Sequence, residues 1–289
     1  MNLDDIETRA VALRERLRAC DCCPRRCGVD RTVGVGWCKV GERAHVHASF
    51  PHFGEERVLV GRGGSGTVFL GECNLRCLFC QNQDVSRGDY GEEVDDEALA
   101  RIMIDLQAAG CVNVNVVTPS HVAPQLAAAI ARARRLGLKV PVVWNSSAYE
   151  LVGTLAAMEG LVDIYMPDLK FASTGAAARY LDAPDYPEVA RAAIREMHRQ
   201  VGDLAIGPDG VARRGLLVRH LVMPGGVAEG AEAMRFLARL SPDTYVNVMD
   251  QYRPFGGAAT RPEIARRPTP AEVAGVLAAA RAAGLWRFE

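Results

Sequence analysis

The sequence predicts an α/β fold built around a parallel β-sheet. Six short runs of apolar and β-branched residues alternate with stretches of helical periodicity. This alternation is typical of right-handed β-α-β crossovers. Periodicity alone leaves the form of the sheet open, because an open doubly wound sheet and a closed or partial barrel share the same pattern. In each case we expect ligands at the C-terminal ends of the strands.

The chain begins with a predicted helix over 3–19, followed by a segment rich in Cys, Gly and Arg. The Gly-rich stretch 61–66 sets a soft boundary near residue 60. It separates a helix plus a Cys-rich metal-binding extension (1–60) from the β-α region (61–289). The predicted strands cover 67–71, 112–117, 141–144, 162–166, 215–223 and 244–249. The predicted helices cover 94–110, which Asp95 or Asp96 could cap, and 124–137, 185–202, 228–240 and 270–284.

Composition argues against several functional classes. The 289 residues are 49% hydrophobic, which provides for a large core, and the net charge is −1. That balance argues against a nucleic-acid-binding surface spread over the whole protein. No apolar run reaches the ~18–20 residues that span a bilayer, and the acidic N-terminus is unlike a signal peptide. We expect a cytoplasmic protein with no nucleic-acid or membrane partner.

The nine cysteines are clustered: five lie between Cys20 and Cys38, three between Cys73 and Cys80, and Cys111 stands alone. A reducing cytoplasm disfavours disulfides, so such clusters indicate metal or redox sites. Cys111 has apolar neighbours, and we expect it to be buried and inert.

The triplet Cys73, Cys77 and Cys80 has the spacing C-x3-C-x2-C and directly follows the first predicted strand of the β-α region. Three thiolates on one loop suit an iron–sulfur cluster with four irons and leave one iron open for another ligand. The alternative is a structural zinc loop that takes its fourth ligand from elsewhere.

At this triplet the chain resembles the radical S-adenosylmethionine enzymes, whose signature here reads CNLRCLFC with Phe79 as the aromatic residue. The stretch GTVFLGECNLRCLFCQNQDVS is similar to the glycyl-radical-enzyme activating branch, and within it to the pyruvate formate-lyase activating-enzyme-like subgroup. The resemblance covers roughly 61–256. It implies a partial (β/α)6 TIM-like barrel with a Cys-rich N-terminal extension.

The resemblance also implies the chemistry. Cys73, Cys77 and Cys80 would hold a 4Fe–4S cluster whose open iron chelates the amino and carboxylate groups of S-adenosylmethionine. An electron, supplied by a donor such as flavodoxin or ferredoxin, would cleave the cofactor to methionine and a 5′-deoxyadenosyl radical. That radical would abstract hydrogen from a substrate, which makes the protein an oxidoreductase.

Candidate cofactor residues follow the predicted strands. Related enzymes carry a Gly-Gly-Glu-Pro-like segment after the second strand that contacts the methionine amine, whereas this chain reads VVTPSHVAP. Thr118 and Ser120 are the substitutes we predict. His121 could contact the cofactor or simply cap the following helix.

Asn145 and Ser146 end the third strand, and Asp168 and Lys170 follow the fourth. The resemblance implies that the acid lies near a bound monovalent cation and that Lys170 faces the cofactor carboxylate. Oxygens of Asn145, Ser146 and Asp168 could form such a hard-cation site. The alternative is a strand-end salt bridge between Asp168 and Lys170.

On the fifth strand, Arg219 and His220 point to opposite faces, because strand side chains alternate. One of them must point into the predicted barrel, and the sequence does not say which. Either could contact cofactor or substrate, or be a satisfied core residue. After the sixth strand, the substrate side could be lined by Asp250, Gln251 and Tyr252.

In the extension, four cysteines follow C-x2-C-x3-C-x10-C, which suggests a closed site for structural zinc or an auxiliary iron–sulfur cluster: Cys20, Cys23, Cys27 and Cys38. Cys22 could replace Cys20 or Cys23. Nearby arginines could dock a partner or stabilise thiolate charge: Arg25, Arg26 and Arg31.

The resemblance favours an enzyme that activates a partner glycyl radical protein, since this chain carries no Arg-Val-x-Gly-Tyr-like loop of its own. One alternative is a radical enzyme that acts on a small molecule or another peptide. Another is a catalytically inactive metal-stapled scaffold, against which the intact triplet argues.

Overall fold

The computed structural model describes residues 3–88 and 91–289. Within these residues a ten-stranded mixed sheet is flanked by helices. The strands are β1 (Ala44–His52), β2 (Ser65–Leu70), β3 (Glu92–Val94), β4 (Val114–Val117), β5 (Val142–Ser146), β6 (Ile164–Pro167), β7 (Ala205–Ile206), β8 (Ala212–Leu221), β9 (Tyr245–Met249) and β10 (Arg287–Phe288).

The α-helices, numbered in the same way, are α1 (Leu3–Glu15), α2 (Arg57–Val60), α3 (Gln83–Arg87), α4 (Asp96–Ala108), α5 (Ala123–Arg135), α6 (Val152–Ala157), α7 (Thr174–Leu181), α8 (Tyr186–Val201), α9 (Gly230–Leu240) and α10 (Pro270–Ala282). None of those described is both long enough and apolar enough to cross a membrane.

The six predicted strands form the parallel heart of the sheet. They are β2, β4, β5, β6, β8 and β9, and they lie side by side in chain order. The α/β fold is therefore confirmed. Strand β10 extends one edge, β7 pairs with β8, and β1 and β3 add two antiparallel strands beside β2. The sheet is not closed, so the partial barrel stays a prediction.

The segment before β2 reaches the far side of the sheet. The side chain of Glu56 accepts a hydrogen bond from Asn247 Nδ2 on β9 at 3.0 Å. The backbone N–H of Arg57 donates to Glu289 Oε1, just after β10, at 2.9 Å. Glu56 and Arg57 thus contact the last parallel strand, β9, and the residue after β10.

Side chains of the parallel strands alternate between two apolar clusters, as strand geometry requires. Val143, Ile164 and Leu217 pack with Val58 and Leu59 of α2 on one side. The helices cover the other side, where the buried side chains include Trp144, Tyr165, Leu216 and Val218. Helix α2 therefore packs on the face of the sheet opposite the helices of the larger cluster.

Local chemistry explains where the helices begin. Asp95, one of the two predicted caps, accepts a hydrogen bond from the backbone N–H of Ala98 at 2.8 Å and starts α4. Thr269 and Glu272 form a capping box at the start of α10. The predicted helix 3–19 is shorter than expected, because α1 ends at Glu15 and a 3-10 turn, Arg16–Ala19, follows.

Strand β1 was not predicted. None of its residues after Val46 is buried, and its sequence AHVHASFPH has no sustained apolar alternation. Its residues from Val46 to His52 nevertheless pair with β2, which follows residue 60 in the chain. The extension therefore contributes a strand to the main sheet, and the boundary near residue 60 stays a prediction. At Gly63, an added Cβ would lie 1.8 Å from the Gly110 carbonyl oxygen, so the Gly-rich stretch packs closely there.

Candidate active site

A cleft of about 300 Å³ opens at the C-terminal ends of the parallel strands, where ligands were expected. The three thiols of the triplet line it from the loop after β2. The facing wall comes from the ends of five further strands: β4, β5, β6, β8 and β9. Of the predicted site residues, the cleft brings together Cys73, Cys77, Cys80, Phe79, Thr118, Asn145, Ser146, Asp168, Lys170 and Arg219.

Backbone contacts hold the triplet loop. The Leu78 N–H donates to the Tyr180 carbonyl at 2.8 Å, and the Arg87 guanidinium donates to the Cys77 carbonyl at 2.5 Å. Phe79 is buried between the loop and the core, with ring centroids 5.8 Å from Phe171 and 6.0 Å from Tyr252. The aromatic residue of the motif therefore both packs the loop and lines the cleft.

Burial raises the pKa of Cys73 to about 12 and that of Cys77 to about 11, and neighbouring thiols of the triplet add to both effects. Without a bound metal, Cys73 and Cys77 are therefore neutral thiols at neutral pH. Cluster assembly would release their protons, because only the thiolate binds iron. Three thiols on one loop at a shared cleft fit a cluster with three protein ligands.

In the described part of the chain, no three His, Cys, Asp or Glu side chains are grouped so that they could hold a metal ion. A 4Fe–4S cluster makes a different demand. Each thiolate binds a separate iron, so the thiolates stand further apart than the ligands of a single ion.

Asp168 is the electrostatic centre of the facing wall. Its Oδ1 accepts from Arg219 Nε and its Oδ2 from Lys170 Nζ, each at 2.7 Å. Arg219 also donates through Nη2 to Asn145 Oδ1 at 2.7 Å. Burial opposes ionisation, but the charges of Arg219 and Lys170 outweigh it and hold the pKa of Asp168 at about 2.

The ion pair between Asp168 and Lys170 is the strand-end salt bridge that the sequence offered as the alternative to a cation site. Asp168 and Asn145, which were predicted to bind a monovalent cation, accept hydrogen bonds from side-chain cations instead. The monovalent cation stays a prediction. Lys170 lines the cleft, where its ammonium is within reach of a ligand.

The orientation of β8 is now clear. Arg219 faces the cleft, and His220 faces the opposite side of the sheet. His220 is fully buried, and its Nδ1 lies 2.7 Å from the Leu169 carbonyl oxygen. Burial lowers its pKa, so the ring is neutral. The structure therefore does not bring His220 to the cleft that was expected to hold the cofactor.

The turn after β4 carries three of the predicted site residues, and one of them lines the cleft. Thr118 lines the cleft and has a left-handed backbone, with φ of 62°. Ser120 and His121 are buried behind it and do not line the cleft. His121 Nε2 lies 2.9 Å from the Gly71 carbonyl oxygen, and burial lowers the pKa of the ring to about 3. His121 thus packs as a neutral core residue.

The three predicted residues after β9 also differ in whether they line the cleft. Gln251 lines the cleft, whereas Tyr252 is fully buried and donates its hydroxyl proton to the Ile264 carbonyl at 2.8 Å. Asp250 does not line the cleft. Cys111 is buried as expected, and burial raises its pKa.

The four predicted ligands of the extension are neighbours. An added Cβ at Gly36 would lie 3.4 Å from the sulfurs of both Cys27 and Cys38. Burial raises the pKa of Cys23 to about 11, and charges on Cys38 and Cys20 add to the effect. Among the described residues these four thiols are not grouped closely enough to hold a single metal ion, so both structural zinc and an auxiliary iron–sulfur cluster stay predictions.

Cys22, the fifth thiol of the extension, hydrogen-bonds to Cys20 and lowers the pKa of that thiol to about 5. Arg31, which the sequence offered as a stabiliser of thiolate charge, is buried. Its Nη1 lies 3.7 Å from the Cys20 sulfur and donates to the His121 carbonyl at 2.8 Å. Arg31 therefore ties the extension to the turn after β4.

A stack of three side chains joins the extension to the triplet loop. The guanidinium of Arg25 lies 3.8 Å from the ring centroid of Trp37, and that of Arg76 lies 4.6 Å from it. Arg25 also donates to the Asn74 carbonyl, next to Cys73, at 3.0 Å. The two cysteine groups are thus mechanically connected.

Two residues at this site were missed from the sequence. The Tyr186 hydroxyl lies 2.7 Å from the Asp168 carbonyl oxygen and accepts from the Lys170 N–H at 2.9 Å. Glu150 accepts hydrogen bonds from Trp144 and Ser146. The stretch VVWNSSAYE contained Glu150, but only the folded turn brings its carboxyl back to Ser146. No sequence motif around Tyr186, the first residue of α8, predicts that it belongs to the site.

Comparison with known proteins gives two matches. Residues 59–168 match the family model described as a 4Fe-4S single cluster domain, which includes the triplet. An uncharacterized protein of Methanocaldococcus jannaschii is 31% identical over 280 residues, which span 94% of this chain and 76% of that protein. The first match supports a 4Fe–4S cluster in this chain.

Proposed function

Since this chain belongs to the same family as the uncharacterized Methanocaldococcus jannaschii protein and contains a 4Fe-4S single cluster domain, we propose that it is a radical S-adenosylmethionine enzyme. The observation that carries this proposal is the shared cleft. Its three thiols at C-x3-C-x2-C spacing face a wall of strand-end polar groups suited to a zwitterionic ligand.

In this proposal Cys73, Cys77 and Cys80 hold the cluster and leave one iron for the cofactor. When bound, the cluster and S-adenosylmethionine supply a 5′-deoxyadenosyl radical for hydrogen abstraction. The protein's part is to bind, orient and shield. Lys170 provides a cation for the methionine carboxylate, and Phe79 forms an apolar wall that excludes water.

The substrate we propose is a glycyl radical protein that this enzyme activates, with flavodoxin or ferredoxin as the electron donor. The support is the likeness of residues 61–256 to that branch of radical enzymes. A small molecule or another peptide is the second candidate, favoured by the departure of VVTPSHVAP from the segment of related enzymes. The cysteines of the extension would hold zinc or an auxiliary iron–sulfur cluster.

The test is anaerobic reconstitution of the full chain with iron and sulfide, followed by addition of dithionite and S-adenosylmethionine. We expect 5′-deoxyadenosine from the wild type and none from Cys77→Ala. A third outcome is a wild type that carries a full cluster and still forms no product when a glycyl radical protein is present. That result would favour the catalytically inactive metal-stapled scaffold over the enzyme. A product that appears only when the glycyl radical protein is added would identify the substrate class.

A further inference from the structure

Glu150 is a buried carboxyl that the proposed chemistry does not use. Only 4% of its surface is exposed. Trp144 Nε1 donates to its Oε1 at 2.7 Å, and Ser146 Oγ donates to its Oε2 at 3.3 Å. The Ser120 hydroxyl is a third partner. Burying a carboxyl is costly, so three dedicated donors indicate a specific role for it.

A strained turn brings the carboxyl to this position. Ala148 has a left-handed backbone with φ of 59°, and its N–H donates to Ser146 Oγ at 3.1 Å. The Glu150 N–H then donates to the Ala148 carbonyl at 3.0 Å. A non-glycine residue in this region is held there at a cost by its surroundings. The turn folds the chain back so that Glu150 lies beside the end of β5.

Glu150 supports the cleft wall from behind. Ser120 belongs to the turn after β4 and Ser146 ends β5, so one carboxyl joins two adjacent strand ends. The Thr118 N–H donates to the Asn145 carbonyl at 2.9 Å and adds a second link between them. Ser146 and Thr118 line the cleft, whereas Ser120 does not. Glu150 therefore reaches the cleft only through Ser146.

The hydrogen-bond count at Ser146 fixes its role. A serine hydroxyl has one proton to donate and two lone pairs that accept. When Glu150 is ionised, the proton goes to Glu150, and the Ala148 N–H uses one lone pair. What remains toward the cleft is one acceptor site. A group that binds there must be a hydrogen-bond donor, and the amino group of the methionine moiety keeps two N–H donors when its nitrogen binds the open iron.

We propose that Glu150 is a positioning residue that orients the Ser146 hydroxyl as an acceptor for the amino group of the methionine moiety. This inference rests on the proposed function. In related enzymes a Gly-Gly-Glu-Pro-like segment contacts the methionine amine, and VVTPSHVAP lacks its carboxylate. The proposal assigns this contact to the end of β5 rather than to the turn after β4.

The test compares the dissociation constants of two ligands on cluster-loaded protein: S-adenosylmethionine and its analogue without the amino group. In Glu150→Gln the new amide can donate to Ser146, whose proton is then free to turn toward the cleft. We expect the dissociation constant of S-adenosylmethionine to rise about tenfold in Glu150→Gln and in Ser146→Ala. The double variant should lose no more than either single variant, because both changes remove one interaction.

The deaminated analogue separates positioning from a general structural effect. It should bind to the wild type and to Glu150→Gln with the same affinity. An unchanged affinity of Glu150→Gln for S-adenosylmethionine would overturn the assignment, and so would an equal loss for both ligands. A wild type that binds neither ligand while its cluster is intact would overturn the proposed function, and the assignment with it.

Discussion

Asp168 and Arg219 are joined twice across adjacent strands. Their backbones form a parallel bridge at the ends of β6 and β8, and their side chains form an ion pair with Nε and Oδ1 2.7 Å apart. Each side chain is 17% exposed. Because the pair is largely buried and also held by Lys170, we expect it to fix the geometry of the cleft wall.

Replacement of Asp168 by Asn should therefore be strongly destabilising. It leaves Lys170 buried without its carboxylate partner. Arg219 keeps the more distant carboxylates of Glu55 and Glu56, each 3.9 Å away. Removing one member of a buried ion pair typically costs about 3–5 kcal/mol. Urea unfolding of the wild type and the Asp168→Asn variant measures this loss.

The matched control is Glu15→Gln, which removes the partner of Arg18 in an ion pair whose side chains are 64% and 66% exposed. Such a pair contributes at most about 1 kcal/mol. If Asp168→Asn proved as mild as this control, the pair would not hold the wall.

Glu150 should make stability depend on pH. Burial raises its pKa to about 7, although the hydrogen bonds from Trp144, Ser120 and Ser146 oppose the shift. The ordinary value is 4.5. Between these values the folded protein holds a proton that the unfolded chain has released, so the free energy of unfolding falls as the pH rises from about 4.5 to 7.

The contribution of Glu150 to this fall is at most about 3 kcal/mol. The Glu150→Gln variant has no carboxyl to titrate, so its unfolding free energy should decline less over the same range. Denaturant titrations at several pH values give both curves. Parallel curves would mean that Glu150 titrates normally.

Trp37 should couple the extension to the triplet loop. It stacks with Arg25 and Arg76, and each cation–π contact is worth up to about 1–2 kcal/mol. We expect Trp37→Ala to lower the unfolding free energy by about 2 kcal/mol and to speed the loss of iron from the triplet to a chelator.

The same substitution at Trp286, which is 66% exposed, is the control. It should cost below about 1 kcal/mol and leave iron release unchanged. Equal iron release from the two variants would show that the stack does not support the loop.

Metal removal separates the two cysteine groups. Cys38→Ser should abolish metal binding in the extension, since one of four thiolates is lost, and should leave the iron of the triplet in place. Elemental analysis of wild type and variant measures the difference. A loss of zinc alone identifies a structural zinc site, and a loss of iron identifies an auxiliary cluster. If the metal content did not change at all, Cys38 would not be a ligand.

The sequence was sufficient for the parallel strands, because their Val-rich runs and the helices between them carry a periodic signal. It also gave the triplet, whose ligands lie within one loop. It could not orient Arg219 and His220, since alternation defines two faces without saying which one the helices cover. Glu150 was missed for a related reason: its partners depend on the left-handed turn at Ala148, which no residue type there demands.

The central claim is that Cys73, Cys77 and Cys80 hold a cluster with one iron open to the cofactor. The most direct measurement is the electron paramagnetic resonance spectrum of the reduced, cluster-loaded protein with and without S-adenosylmethionine. The account predicts a signal that Cys77→Ala lacks and that shifts when S-adenosylmethionine is added. The account would be contradicted if the whole spectrum survived unchanged in Cys77→Ala, or if saturating S-adenosylmethionine altered no component of it.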